Sequence, residues 1–344
     1  MILPLFDALG QDSSINFILN THEQSAAHAA DGYARASGRP GVCIATSGPG
    51  ATNLVTGIAT AFMDSVPMVV ITGQVETNLL GKDSFQETDV FGITMPVTKH
   101  NFKLRSSQEL IPVLRTAFKL AESGRKGPVL VDIPKDIFLS DIVYPEDKCQ
   151  DNTMEKPDAD FLICAAEAID EILKAKKPVV IAGGGVVLGE AHEELVAFAE
   201  KYNLPVVSTL MGIGAFPNDH PLYMGFAGLH GRKSANYTVA EADLVIAVGS
   251  RFGDRQTGNI AKYVHDKHFI HIDIDPAEID KNVHSSIGLS GDMKTILNLL
   301  WCNGERSLKV RLQPYPLSAY ISCYFFRRIV ASNGKCCIEA VVFR

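Results

Sequence analysis

The sequence predicts an α/β protein built from two doubly wound parallel-sheet domains. Short apolar runs alternate with helical patterns along most of the 344 residues, and runs of that kind with helices between them give a parallel sheet covered on both faces. A polar stretch bracketed by prolines then divides the pattern in two. Size agrees with this reading: 46% hydrophobic and 21% charged residues suit roughly two domains with ample core.

In the first domain, residues 1–143, the expected strands are Val42–Ala45, Met68–Ile71 and Val129–Ile133. The start, Met1–Leu9, reads as the interior of a helix. Thr21–Arg35 carries one acid among small apolar residues, and Gly38 and Pro40 end its helical pattern, so Glu23 belongs at or before the first turn of a helix. Ala26, Ala27, Ala29 and Ala30 leave little bulk beside it. That predicts a dry, narrow space in which the Glu23 carboxyl is held protonated more readily; the alternative is an N-terminal acid favoured by the helix dipole. The Ser47–Asn53 turn joins a strand to a helix. It matches neither GxGxxG nor the lysine-bearing P-loop, so it is a weak phosphate site, and a tight turn without a ligand is the equal alternative.

Residues 144–160 form the expected linker, with Pro145 and Pro157 around Glu146, Asp147, Lys148, Asp151 and Glu155. The second domain, residues 161–300, opens with a helix between Asp160 and Lys174 and continues through Val179–Ala182, Pro205–Val207, Leu244–Val248 and Phe269–Ile272. A strand running into Gly183, Gly184 and Gly185 is a weak dinucleotide signal. Asp273 and Asp275 could bind a ribose hydroxyl or cap the next helix at Pro276. From Asn303 onward periodicity fails and bases gather at Arg306, Lys309, Arg311, Arg327, Arg328, Lys335 and Arg344. Residues 301–344 read as a tail of unselected sequence, or alternatively a basic interaction segment.

Several classes are disfavoured. A net charge of −7 argues against nucleic acid as the main partner. No run reaches the roughly 18 apolar residues of a membrane span, and no signal peptide opens the chain, so the expected compartment is the cytoplasm, with organellar import open if a leader was lost. Seven cysteines form no CxxC pair and no metal signature. Cys43, Cys149 and Cys164 read as reduced thiols, and Cys302, Cys323, Cys336 and Cys337 crowd the last stretch.

Four motifs in one order carry a resemblance: Thr21–Arg35 around Glu23, Thr46-Ser47-Gly48-Pro49-Gly50-Ala51-Thr52-Asn53, Ile71-Thr72-Gly73-Gln74 and Phe85-Gln86-Glu87-Thr88-Asp89. Together they resemble the large catalytic subunit of the acetohydroxyacid synthase (acetolactate synthase) family of thiamine-diphosphate enzymes, from about Ile2 to about Leu300. The resemblance implies a pyrimidine-binding-type first domain and a Rossmann-like, flavin-binding-type central domain. It implies the condensation of pyruvate with a second 2-keto acid, with loss of CO2 through a thiamine-diphosphate carbanion, in branched-chain amino-acid biosynthesis toward valine and isoleucine.

Roles follow by the same resemblance. Glu23 hydrogen-bonds N1′ of the aminopyrimidine and so activates the cofactor; Gly48, Pro49 and Asn53 lie beside that ring. Gln86 and Lys135 join Glu23 as catalytic residues, and Phe85 forms an aromatic wall for substrate. Gly249, Ser250, Arg251, His230, Arg125 and Asp292 match the binding segment for FAD, with Asp273 added as a cofactor-binding candidate from its place after the strand, and Arg255 meets the second substrate's carboxylate, where a bidentate fork suits it. Two residues depart from the pattern: Leu229 stands where many relatives have methionine, and Gly253 where many have aspartate.

The resemblance also implies what this chain does not carry. Relatives place a helix, a strand and a Gly-Gly loop before Met1, and a third domain whose Gly-Asp-Gly motif and later asparagine hold Mg2+ and the diphosphate. The glycine-aspartate pairs here, Gly253-Asp254 and Gly291-Asp292, have no following glycine, so no metal site is assigned and the isolated chain is expected to be inactive. The expected partners are 2-keto acids, a second copy or an intact subunit, and a regulatory small subunit. Two alternatives stand beside this reading: another thiamine-diphosphate carboligase, decarboxylase or pyruvate oxidase, and a non-catalytic nucleotide-binding or dimerising remnant.

Overall fold

A computed structural model describes residues 1–142 and 159–303. The linker expected at 144–160 lies outside them except for its last two positions, as do the tail from residue 304 on and Cys149, Cys323, Cys336 and Cys337.

Two parallel sheets organise the described residues. The first has four strands in the order β1-β2-β4-β3, with β1 Gly41–Ala45, β2 Met68–Gln74, β3 His100–Lys103 and β4 Pro128–Pro134. The second has six strands in the order β10-β9-β8-β5-β6-β7, with β5 Pro178–Ala182, β6 Val206–Ser208, β7 Tyr223–Phe226, β8 Leu244–Val248, β9 His268–Asp273 and β10 Ile287–Ser290. Every strand pair is parallel. Counted within its own domain, the second sheet runs 3-2-1-4-5-6 or its mirror, the order of dinucleotide-binding folds. The fold class read from the sequence is therefore the fold observed.

The central strands form because they are apolar on both faces. β4, β5 and β8 are buried along their whole length, which a parallel sheet with helices on each side requires. In the second domain one core layer gathers Ala165, Ile169, Ile172, Leu195, Phe198 and Leu297 against the sheet, and the opposite layer gathers Ala235, Val239, Phe252 and Phe269. The helix at the start of the chain spans Leu3–Gln11, with Pro4 in its first turn; Pro is tolerated there because that N–H has no helical acceptor. Helix Ala159–Lys174 begins one residue before the expected start, and helix Met293–Asn303 carries the second domain past residue 300.

Candidate cofactor and substrate site

Glu23 is the first residue of helix Glu23–Ser37, as the sequence predicts. His22, in extended backbone, caps it: Nδ1 accepts the Gln24 N–H at 3.1 Å. Gly38 closes the other end with φ +73°, a left-handed conformation that glycine adopts without strain. The alanine face buries Ala27, Ala30 and Ala34, and other elements do press against it. A Cβ added to Gly57 would sit 2.3 Å from Ala27 Cβ, and one added to Gly41 would sit 2.0 Å from the Ala30 carbonyl oxygen. That tight packing begins one turn beyond the acid. Glu23 itself is half-buried at the rim; the alanines that create close contact face β1 and the helix Val55–Met63, so the described residues do not by themselves close a space around the carboxylate.

The turn after β1 converges on the same carboxylate. Asn53 Nδ2 donates to Glu23 Oε2 at 3.0 Å, and a Cβ on Gly50 would lie 3.3 Å from Glu23 Oε1. One carboxylate oxygen is thereby held, and a side chain at 50, besides meeting Thr46 Cγ2 at 2.7 Å, would crowd the other. Gly48 has φ +60°, and a Cβ there would meet the Gln86 carbonyl oxygen at 2.8 Å and its Cβ at 2.9 Å. Glu23, Gly48, Gly50, Asn53 and Gln86 are thus one constellation, although its ends lie far apart in the sequence. Pro49 starts the short helix Pro49–Asn53. The Ser47 hydroxyl beneath the turn is buried without a hydrogen-bond partner.

Gln86 is itself left-handed, φ +58°, and Phe85 beside it is 81% exposed, so Phe85 is a surface side chain here and no part of the core. Its loop is closed by Glu87, whose carboxylate accepts the Gly81 and Ser84 N–H groups; those bonds hold the acid below the usual carboxylate range. Lys135 follows the carboxyl end of β4 and opens helix Lys135–Phe138. It is half-exposed and paired with Glu76 at 3.4 Å.

Sequence reasoning gave no role to the buried residues under this loop. Asp132 in β4 is 1% exposed and accepts Thr72 Oγ1 at 2.7 Å and Gln74 Nε2 at 3.0 Å. Burial pushes its carboxyl up to about 6, against those two hydrogen bonds and Lys103, which favour the charge. An acid inside an otherwise apolar strand, Val129-Leu130-Val131-Asp132-Ile133, was the available signal.

In the second domain, Gly249, Ser250 and Asp273 lie at the carboxyl ends of β8 and β9, next to the Gly183–Gly185 turn after β5. This is where a parallel sheet reverses strand order and ligands bind. The glycines serve close approach of backbones: a Cβ on Gly183 would fall 2.0 Å from the Gly249 oxygen, and the Gly185 N–H donates to that oxygen at 3.0 Å. Asp273 is buried, which raises its carboxyl, and it accepts the Asp275 N–H at 3.0 Å. Asp275 caps the turn at Pro276, accepting the Ala277 N–H.

The other residues matched to flavin and substrate are held by protein groups or stand exposed. Arg125 Nη1 donates to Asp275 Oδ2 at 3.0 Å and Glu278 Oε1 at 2.7 Å, and Nε to Ser65 Oγ. Asp292 Oδ1 accepts the Thr295 N–H and hydroxyl at the start of helix Met293–Asn303. Arg251 Nη1 donates to the Met63 carbonyl at 2.5 Å. His230 is exposed, and Arg255 is 82% exposed, with Asp254 at 3.9 Å. Among the described residues, no group of three or more His, Cys, Asp or Glu side chains could hold a metal ion.

Two family models match the two domains. That described as thiamine pyrophosphate enzyme, N-terminal TPP binding domain, covers residues 1–93, and that described as thiamine pyrophosphate enzyme, central domain, covers residues 165–300. The chain belongs to the thiamine pyrophosphate enzyme family. Within the family it is 51% identical over 300 residues to the probable acetolactate synthase large subunit of Methanocaldococcus jannaschii, covering 86% of this chain and 51% of that protein. It is also 51% identical over 300 residues to the acetolactate synthase large subunit of Corynebacterium glutamicum, covering 86% and 47%, and 48% identical over 305 residues to the probable large subunit of Methanococcus aeolicus, covering 86% and 50%. The chain spans about half the length of these relatives. No helix among the described residues is long and apolar enough to cross a membrane.

Proposed function

We propose that this chain supplies the pyrimidine side of a thiamine-diphosphate site and the central domain of an acetolactate synthase large subunit. The observation that carries the reading is the Glu23–Asn53 contact, fenced by Gly48, Gly50 and Gln86, in a chain about half identical to synthase large subunits. The residues fit the ring: one Glu23 oxygen is fixed by Asn53, and the other faces the space that Gly50 leaves by lacking a side chain. Bound thiamine diphosphate supplies the electron sink on which 2-keto acid decarboxylation and condensation depend.

This chain's own residues orient and protonate. Glu23 is the group that exchanges a proton with the ring nitrogen, and Asn53 keeps its carboxylate turned toward the ring. Gln86 is pressed onto the Gly48 turn, at the edge of the same space. Lys135 and Phe85, from the carboxyl end of β4 and the exposed loop, serve the keto-acid side. Arg255, well exposed, is free to engage a second keto acid's carboxylate.

The condensation itself is proposed for the whole protein of the kind the relatives represent. It joins pyruvate to pyruvate or another 2-keto acid, in branched-chain amino-acid synthesis. The relatives' designation as large subunits supports a small regulatory subunit and an assembly of more than one chain. FAD is proposed for the crevice at Gly249, Ser250 and Asp273. Mg2+ would accompany the diphosphate, and no cluster of acids or histidines among the described residues offers it ligands.

Calorimetric titration with thiamine diphosphate, at matched conditions for the wild type and Glu23→Gln, tests the reading. Loss of a charged hydrogen-bonding group should weaken binding by about tenfold or more. Equal affinities for the two proteins would contradict it.

A further inference from the structure

We propose that Gln74 and Asp132 are positioning residues that hold the Phe85–Asp89 loop in place over the Gly48 turn. Gln74 is the last residue of β2 and has no exposed surface, so its amide is committed to what lies around it. Nε2 donates to the Thr88 carbonyl at 3.1 Å and to Asp132 Oδ2 at 3.0 Å, while Oε1 accepts the Val75 N–H at 2.9 Å. Both protons of the amide nitrogen are therefore used, one on the loop and one on the sheet.

Asp132 decides which way the amide faces. A carboxylate only accepts, so it requires the NH2 end of Gln74, and the Val75 N–H requires the oxygen end. Thr72, one pleat back on the same strand, donates to the other carboxylate oxygen at 2.7 Å and fixes Asp132 in turn. The charged neighbours are Lys103, on the adjacent strand β3, and Asp89, in the loop. The chain of contacts thus runs from the interior of β4, across β2, to the backbone of Thr88.

Thr88 is two residues from Gln86, whose backbone lies where any side chain on Gly48 would have to go. An untethered loop would let Gln86 lift from the turn. That this loop faces a thiamine ring rests on the proposed function; its tethering by Gln74 does not.

Amide hydrogen exchange of the full chain, without ligand, separates the two. Gln74→Met keeps the volume and loses both donors. It should speed exchange of residues 84–91 by about tenfold, the loss of one hydrogen bond to a half-buried acceptor, while residues 68–73 and 128–133 keep wild-type rates. Asp132→Asn, whose amide oxygen can still accept from Gln74 and whose NH2 can donate to Thr72, should restore the wild-type pattern where Asp132→Leu does not. Unchanged exchange of 84–91 in Gln74→Met overturns the proposal, as does a loss of protection spread equally over β2 and β4. A variant-free check is the wild-type NMR spectrum: slow-exchanging Gln74 side-chain amide protons with contacts to Thr88 support the tether, and their absence overturns it. A chain with this exchange pattern that binds no thiamine diphosphate would count against the proposed function alone.

Discussion

At the scale of single residues, Asp132 makes stability depend on pH in an unusual direction. Its carboxyl is pushed up to about 6 in the folded chain by burial, with Asp89 adding repulsion and Thr72, Gln74 and Lys103 opposing. A raised carboxyl favours folding while protonated, so its contribution is complete below about pH 4 and is lost as pH rises through about 6. The shift corresponds to about 3 kcal/mol. Asp132→Asn should remove that slope and leave the protein more stable at pH 7.5, as measured by urea denaturation between pH 4.5 and 7.5; an unchanged slope would show that the buried carboxyl does not titrate there. Asp275 and Glu278 run the other way. Burial opposes their charge, but Arg125 and its neighbours hold both below the usual range, so their contribution is present at neutral pH and falls away in acid.

At the scale of elements, the turn after β1 is specified by glycine. Gly48→Ala places a side chain at φ +60° and 2.8 Å from the Gln86 oxygen. We expect a loss of about 1–3 kcal/mol in chemical denaturation, together with faster proteolysis of the Gly81–Thr88 loop; a neutral effect would mean that the loop yields without cost. The buried strands were legible in the sequence because each is a short apolar run, broken only by Asp132 in β4: Met68–Ile71, Val129–Ile133 and Leu244–Val248 needed only extensions at their ends or none. The strands that escaped, β3, β7 and β10, are all sheet edges of four residues. His100-Asn101-Phe102-Lys103 is mostly polar, and Tyr223–Phe226 contains Gly225 at φ +101°, so neither carries the signal of a strand flanked on both sides. The site shows the same division. Glu23 at a helix start and the glycine turn could be read locally, whereas the Asn53 contact, the Gln86 overlap and the Gln74–Asp132 pair join residues 30 to 58 positions apart or rest on a single backbone angle. Arg125 and Asp292 were matched to flavin, but their partners here are protein groups: Asp292 caps its own helix through Thr295, and Arg125 meets Asp275 and Glu278, which only the fold brings within reach.

At the scale of the whole molecule, Arg125 connects the two domains. It lies in the segment before β4, and its guanidinium reaches Asp275 and Glu278 just after β9, where the Glu278 side chain is 3% exposed. Removing the arginine leaves that acid with Lys281 alone. Arg125→Ala should therefore destabilise the chain by about 3 kcal/mol, seen as a lower urea midpoint that Glu278→Gln partly restores; no change would show that the cluster contributes nothing to holding the halves together. Glu23, the Gly48 turn and Gln86 are proposed to form one face for an aminopyrimidine ring. The most direct measurement is an NMR titration of the isotope-labelled chain with thiamine diphosphate. The amides of Glu23, Gly48, Gly50, Asn53 and Gln86 should shift together and saturate with one affinity. Shifts confined to the second domain, or none at ligand concentrations in the millimolar range, would contradict it.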